Sequence, residues 1–190
     1  MEHSEEVQTS ELEWLFSSPA PWRDLVAFGP SLFGSYAVLS FLECAPSSPA
    51  APDQPKELVS GDPEKLQVVL SELRRFTRTP DECYLCYWDG NWGLDLEGGT
   101  VGIAERMYFF RRGHLSERGE WILVPAGITE SPEQEALPAF IWPKDRSWCV
   151  AIDVDSDFAG IGASAEAIVQ LGTLTRVSVK HLERNGSASS

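Results

Sequence analysis

Apolar residues along the chain fall into short blocks separated by Pro, Gly and acidic runs, and the spacing inside each block names its element. Leu66, Val69, Leu70 and Leu73 recur at helical spacing, and Phe76 extends the stripe. Pro63 suits a first helical position behind Asp62 as cap. A helix is therefore expected from there to Arg74, Arg75 and Arg78, whose cations complement the negative end of the helix dipole. Residues 33–43 are apolar, β-rich and bounded by Gly-Pro and Pro, which predicts a buried strand. Residues 83–96 predict a hairpin turning at Asp89-Gly90. Its first arm is apolar on both faces, and its second alternates Trp92, Leu94 and Leu96 with Gly93 and Asp95. Further strands are expected at 106–113, 120–126 and 147–154, the last again apolar on both faces. Residues 163–171 predict a short helix stopped by Gly172, and 175–183 alternate as a half-exposed closing strand. The sum is an α+β fold: a mostly antiparallel mixed sheet of about six or seven strands with two or three helices packed on one face.

The blocks also set the domain organisation. Residues 1–21 carry five glutamates and read as an acidic mobile segment, with a short helix around 11–16 anchored by Trp14, Leu15 and Phe16. Residues 22–183 form a single α+β domain, interrupted by an exposed Pro/Ala/Ser loop at 45–55. Residues 184–190 are expected to be a disordered tail.

Composition narrows the function classes. A chain of 190 residues with 43% apolar content and seven tryptophans is long and hydrophobic enough to bury a core. Its formal charge of −14 opposes phosphate backbones, so nucleic acid is not an expected partner. An acidic surface suits a basic protein partner, a cationic ligand or plain solubility, the last being the commonest reason for such charge. The N-terminal stretch has neither a basic n-region nor an apolar h-region, and no apolar run approaches the roughly 20 residues of a membrane span. A cytoplasmic location with reduced thiols and no membrane partner is the expectation.

Candidate chemistry concentrates in 142–164, WPKDRSWCVAIDVDSDFAGIGAS. Asp153, Asp155 and Asp157 alternate as at the opening of a calcium loop, but Phe158 and Ser164 stand where that loop needs Gly and Glu. No cofactor is predicted, and the one ion this triad would suit is Mg²⁺ or Ca²⁺. Gly160, Gly162 and Ala165 spell G-x-G-x-x-A, yet aspartates before it would repel a pyrophosphate and too little chain follows for that fold. These glycines are expected to make a tight turn. Asp145 and Asp153 are eight residues apart, roughly 26 Å if extended, so the two polar ends of this strand cannot form one site. Arg146 is placed to meet a carboxylate or to stack on a tryptophan. Cys83 and Cys86 have metal or redox spacing, but on a strand they point to opposite faces about 10 Å apart. Cys149 lies in an apolar strand, where a thiol is inert. No G-x-S-x-G elbow occurs, and His3, His114 and His181 lie apart.

From about residue 64 onward, three segments, LRRFTRTPDECYLCYWDGNWG, MYFFRRG and WPKDRSWCVAIDVD, resemble a family of small actinobacterial cytosolic proteins bearing a Trp-Pro-x-Asp-Arg-x-Trp-x-Val-Ala-x-x-x-Asp block. The resemblance implies a stable cytosolic α+β domain and transfers no catalytic residue. The function expected from the residues is a non-catalytic acidic interaction protein binding a macromolecular partner, of an immunity-like or regulatory kind. Trp88, Trp92, Trp142 and Arg146 are its interface candidates. The alternative is a small-molecule or metal-dependent enzyme using the carboxylates after strand 147–154, with Asp153, Asp155, Asp157 and Ser164 as ligands.

Overall fold

The computed structural model describes residues 11–15, 17–42, 63–90, 100–103, 105–124 and 137–183. The helical elements are α1 (11–15), α2 (Trp22–Phe28), α3 (Pro63–Leu73), continued by a 3₁₀ turn Arg74–Phe76, and α4 (Ala165–Leu171). The strands are β1 (Ser35–Ser40), β2 (Cys83–Trp88), β3 (Thr100–Ile103), β4 (Arg106–Leu115), β5 (Trp121–Val124), β6 (Phe140–Pro143), β7 (Cys149–Ala151), β8 (Phe158–Ala163) and β9 (Ser178–Leu182). They form one sheet in the order β3-β4-β2-β6-β7-β8-β1-β9, with β5 also pairing β4. Tyr108–Gly113 of β4 pair with β2, so β3 and β5 lie end to end along its other edge. Every pairing is antiparallel. The fold is α+β as expected, with nine strands where about six or seven were anticipated.

Two packed layers flank this sheet, and the strand register shows why. Cys83, Leu85 and Tyr87 of β2 face one core, together with Ala37, Leu39, Ile141, Val150 and Ile161. Tyr84 and Cys86 face a second core with Phe110, Phe140, Trp142, Cys149 and Ala151. The first core is covered by Leu66, Val69, Leu70 and Leu73 of α3 and Ala167, Ile168 and Leu171 of α4. The second is covered by Leu12, Trp14 and Leu15 of α1 and Leu25 and Val26 of α2. Helices thus pack on both faces, which corrects the one-face expectation. A central strand apolar on both sides requires a cover on both sides.

The expected N-terminal boundary moves for the same reason. The helix anticipated near 11–16 is present at 11–15. Leu12 and Leu15 are fully buried there, so residues 11–15 pack into the fold. The loop at 45–55 and the tail at 184–190 lie outside the described residues. So does the second arm of the anticipated 83–96 hairpin, Trp92 included. Over Cys83–Cys86, both edges of β2 are occupied, by β4 and β6.

The largest difference from the sequence pattern is β8. Residues 158–163, FAGIGA, read as a glycine turn but form a six-residue strand between β7 and β1. A β-carbon on Gly160 would run into the Ala27 carbonyl oxygen and the Phe28 backbone, and one on Gly162 into the Phe33 ring. The glycines therefore let α2 and its following loop seat directly on the sheet. Two shorter strands, β3 and β6, were also not anticipated. The strand expected over 147–154 shrinks to β7, Cys149–Ala151, although Trp148 and Ile152 on its flanks stay buried.

Candidate functional site

The polar block Lys144-Asp145-Arg146 lies in the β6–β7 hairpin, and its side chains turn back onto the protein. The Arg146 N–H donates to the Pro143 carbonyl at 2.9 Å, closing the turn, and Arg146 takes φ 55°. A left-handed arginine costs on the order of 1–3 kcal/mol, so the surroundings must hold it. They do so through Asp145. Its carboxylate accepts from Thr77 Oγ1 at 2.8 Å, the Arg78 N–H at 2.8 Å and the Ser147 N–H at 3.2 Å. The Asp145 N–H donates to Thr79 Oγ1 at 3.1 Å. Burial alone would raise this carboxyl, but the hydrogen bonds from Arg78, Ser147 and Thr77 outweigh it and hold it below the usual carboxylate value. Lys144 Nζ meets Glu82 at 2.6 Å. The block is a clasp joining the β6–β7 turn to the segment between α3 and β2.

Arg146 then reaches toward α1. It lies 5.7 Å over the Trp14 ring and 4.0 Å from the Glu11 carboxylate. Burial and the neighbouring Glu11 carboxylate push the Tyr84 phenol up to about 12. This interface candidate therefore fastens the N-terminal helix to the sheet. Trp142, another candidate, is fully buried, with Trp14, Tyr84 and Phe110 around it at ring-centroid distances of 5.7–6.1 Å. It is a core residue, and its role as an interface anchor is corrected accordingly.

Trp88 and Asp153 do come together, through a residue that sequence reasoning missed. Arg106 Nη1 hydrogen-bonds Asp153 Oδ1, while its guanidinium lies 5.5 Å from the Trp88 ring and 5.9 Å from the Trp22 ring. Four elements meet there: α2, β2, β4 and the β7–β8 turn. Trp22 and Trp88 are both half-buried at the rim of the second core. Arg106 is the first residue of an anticipated strand, and no signal in its neighbourhood marks it as a bridge to residue 153.

The three aspartates occupy a hairpin turn between β7 and β8, where the Ser156 N–H donates to the Asp153 carbonyl at 3.1 Å. Asp153 is engaged by Arg106 and accepts from the Val154 N–H at 2.8 Å, while Asp155 and Asp157 are exposed. Among the described residues, no group of three or more His, Cys, Asp or Glu is placed to hold a metal ion. Ser164 is engaged as the cap of α4, its Oγ accepting from the Ala167 N–H at 3.2 Å. The G-x-G-x-x-A run is a strand followed by this cap, not a loop. Cys83 faces the first core and Cys86 and Cys149 the second. Burial first, then Asp145 and Asp81, pushes the Cys83 thiol up to about 12, and burial likewise raises Cys86 and Cys149. These thiols are not nucleophiles at neutral pH.

No family model, no curated protein and no solved structure matches the chain. No described helix is long and apolar enough to cross a membrane.

Proposed function

We propose that the protein is a non-catalytic acidic interaction protein that binds a basic macromolecular partner in the cytoplasm, in an immunity-like or regulatory role. The observation carrying this reading is that at least six of the chain's fifteen Lys and Arg residues meet acids of the same chain. Arg106 pairs with Asp153, Arg75 with Glu72, Lys144 with Glu82, Arg74 with Asp81, Arg78 with Asp145 and Arg146 with Glu11. Arg106–Asp153, Lys144–Glu82 and Arg146–Glu11 join separate elements, and a formal charge of −14 remains for the surroundings. Surplus charge of one sign steers an oppositely charged partner and speeds its encounter. Asp155 and Asp157, exposed on the β7–β8 turn, are the contacts assigned to that partner.

Tagged full-length protein, recovered from its native host and analysed by native mass spectrometry, should carry a stoichiometric basic protein that dissociates as salt is raised. Asp155→Asn with Asp157→Asn should speed its loss. A monomer recovered without any protein partner at low salt would sink the proposal.

A further inference from the structure

The described sheet ends on one side at β9. It pairs with β1 through Tyr36↔Leu182 to Ser40↔Ser178, and no described strand lies on its other side. Alternate backbone N–H and C=O groups along Ser178–Leu182 therefore point away from the sheet, as on any edge strand. We propose that this outer edge is a docking site for an acidic, extended segment of another protein, which joins the sheet as a further strand. This surface stands on a separate observation from the overall acidic surplus, and its charge is opposite.

Charge decides the occupant. Lys180 on this edge and Arg176 just before it are exposed, with Glu183 as the one acid between 175 and 183. The neighbouring strand β1, SYAVLS, contributes no charge. The edge is thus locally cationic within a chain of −14. At physiological ionic strength the Debye length is about 8 Å, so a docked strand senses the cations beside it more than remote carboxylates. Self-pairing is disfavoured. Two copies joined antiparallel about Lys180 would set the two Lys180 side chains against each other, and both molecules carry the same large net charge.

Register supplies the side-chain pattern. Val179 and His181 sit opposite Leu39 and Ala37, on the side of the first core, while Ser178, Lys180 and Leu182 sit on the other. An incoming strand would find Val179 at the rim of the first core, where a small apolar side chain can pack. On the other side it meets Lys180, which suits a Glu or Asp. Main-chain hydrogen bonds would supply affinity and this alternation specificity.

Amide exchange on the full-length, ¹⁵N-labelled protein tests the site, with the acetylated, amidated peptide Glu-Val-Glu-Val-Thr-Glu as probe. In the free protein, alternate amides of 178–182 should exchange fast while those bonded to β1 stay protected. The probe should slow the fast set by about tenfold or more, corresponding to about 1.4 kcal/mol. Lys180→Glu should abolish that slowing with an unchanged melting midpoint, and a probe with Lys in place of Glu should give none. Three results would overturn the proposal: an edge already protected in the free protein, covered by this chain or a second copy; no slowing by the acidic probe; or equal slowing in Lys180→Glu.

Discussion

The two faces of the sheet are closed in different ways. On the first, α3 and α4 lay aliphatic side chains onto Leu85, Ile141, Val150 and Ile161. The eleven-residue α3 presents its apolar stripe on one side, and non-directional burial suffices to seat it. On the second face the cover consists of five- and seven-residue helices over an aromatic surface. Helices that short are marginal by themselves. They are fastened by directional contacts instead: Arg146 on Trp14 and Glu11, Arg106 on Trp22, and Gly160 and Gly162 letting backbone and ring approach. Among the described residues, Trp14 Nε1 and Trp142 Nε1 on this face, like Trp148 Nε1 on the first, are buried without a hydrogen-bond partner. Each such N–H costs about 1–3 kcal/mol, which the aromatic burial must offset. A long stripe tolerates imprecision, whereas a short cover depends on a few named contacts.

The contrast can be broken most severely at the centres of the two cores. Trp142→Ala should cost about 3–5 kcal/mol, and Leu70→Ala on the opposite face about 2–5 kcal/mol. Urea unfolding would measure both, and Trp142→Ala should in addition release α1, seen as faster amide exchange over 11–15 while α3 stays protected. Equal exchange at both helices would mean the faces are not separately fastened. Gly160→Ala should cost about 1–3 kcal/mol by forcing α2 off the sheet, whereas Gly34→Ala, with open space around its β-carbon, should change little. Thermal melts of the pair would show whether close approach at β8 is what sets the cost.

A smaller effect is expected at the clasp. The Asp145 carboxyl is held below its ordinary value of 3.8, so its contribution is fully present above that pH. It is lost as pH falls through the lowered, folded-state value. Wild type should therefore lose more stability than Asp145→Asn on acidification below about pH 4. At neutral pH, Asp145→Asn should be the less stable by about 1–3 kcal/mol. Parallel pH-dependence in the two proteins would mean the clasp contributes nothing. The smallest change is Ser164→Ala, about 1 kcal/mol from the lost cap of α4, read from the denaturation midpoint.

Where the sequence pattern succeeded, the determining physics was local. The Leu66–Leu73 stripe, the doubly apolar Cys83–Trp88 arm and the alternation before Glu183 fix α3, β2 and β9 through side-chain period alone. Arg146 met a carboxylate and a tryptophan because its residue type allows little else. The pattern failed at β8, because Phe-Ala-Gly-Ile-Gly-Ala has the composition of a turn. Only the close passage of Ala27, Phe28 and Phe33 over it makes glycine the fitting strand residue. Trp142 likewise lies beside Pro143 and charged neighbours, as an exposed residue would, yet it is fully buried.

The site followed the same division. Sequence by itself determined that the chain is acidic, that Cys83, Cys86 and Cys149 sit on strands and that Asp145 and Asp153 belong to opposite ends of one segment. Tertiary structure decided that Asp153 meets Arg106 across 47 residues of chain, between two tryptophans. It also decided that the helix at 11–15 covers the second face and that β9 lies at the edge of the described sheet. Periodicity reports which side of an element is apolar, but the partner of each side depends on strand order, and strand order is set by pairings far apart in the chain.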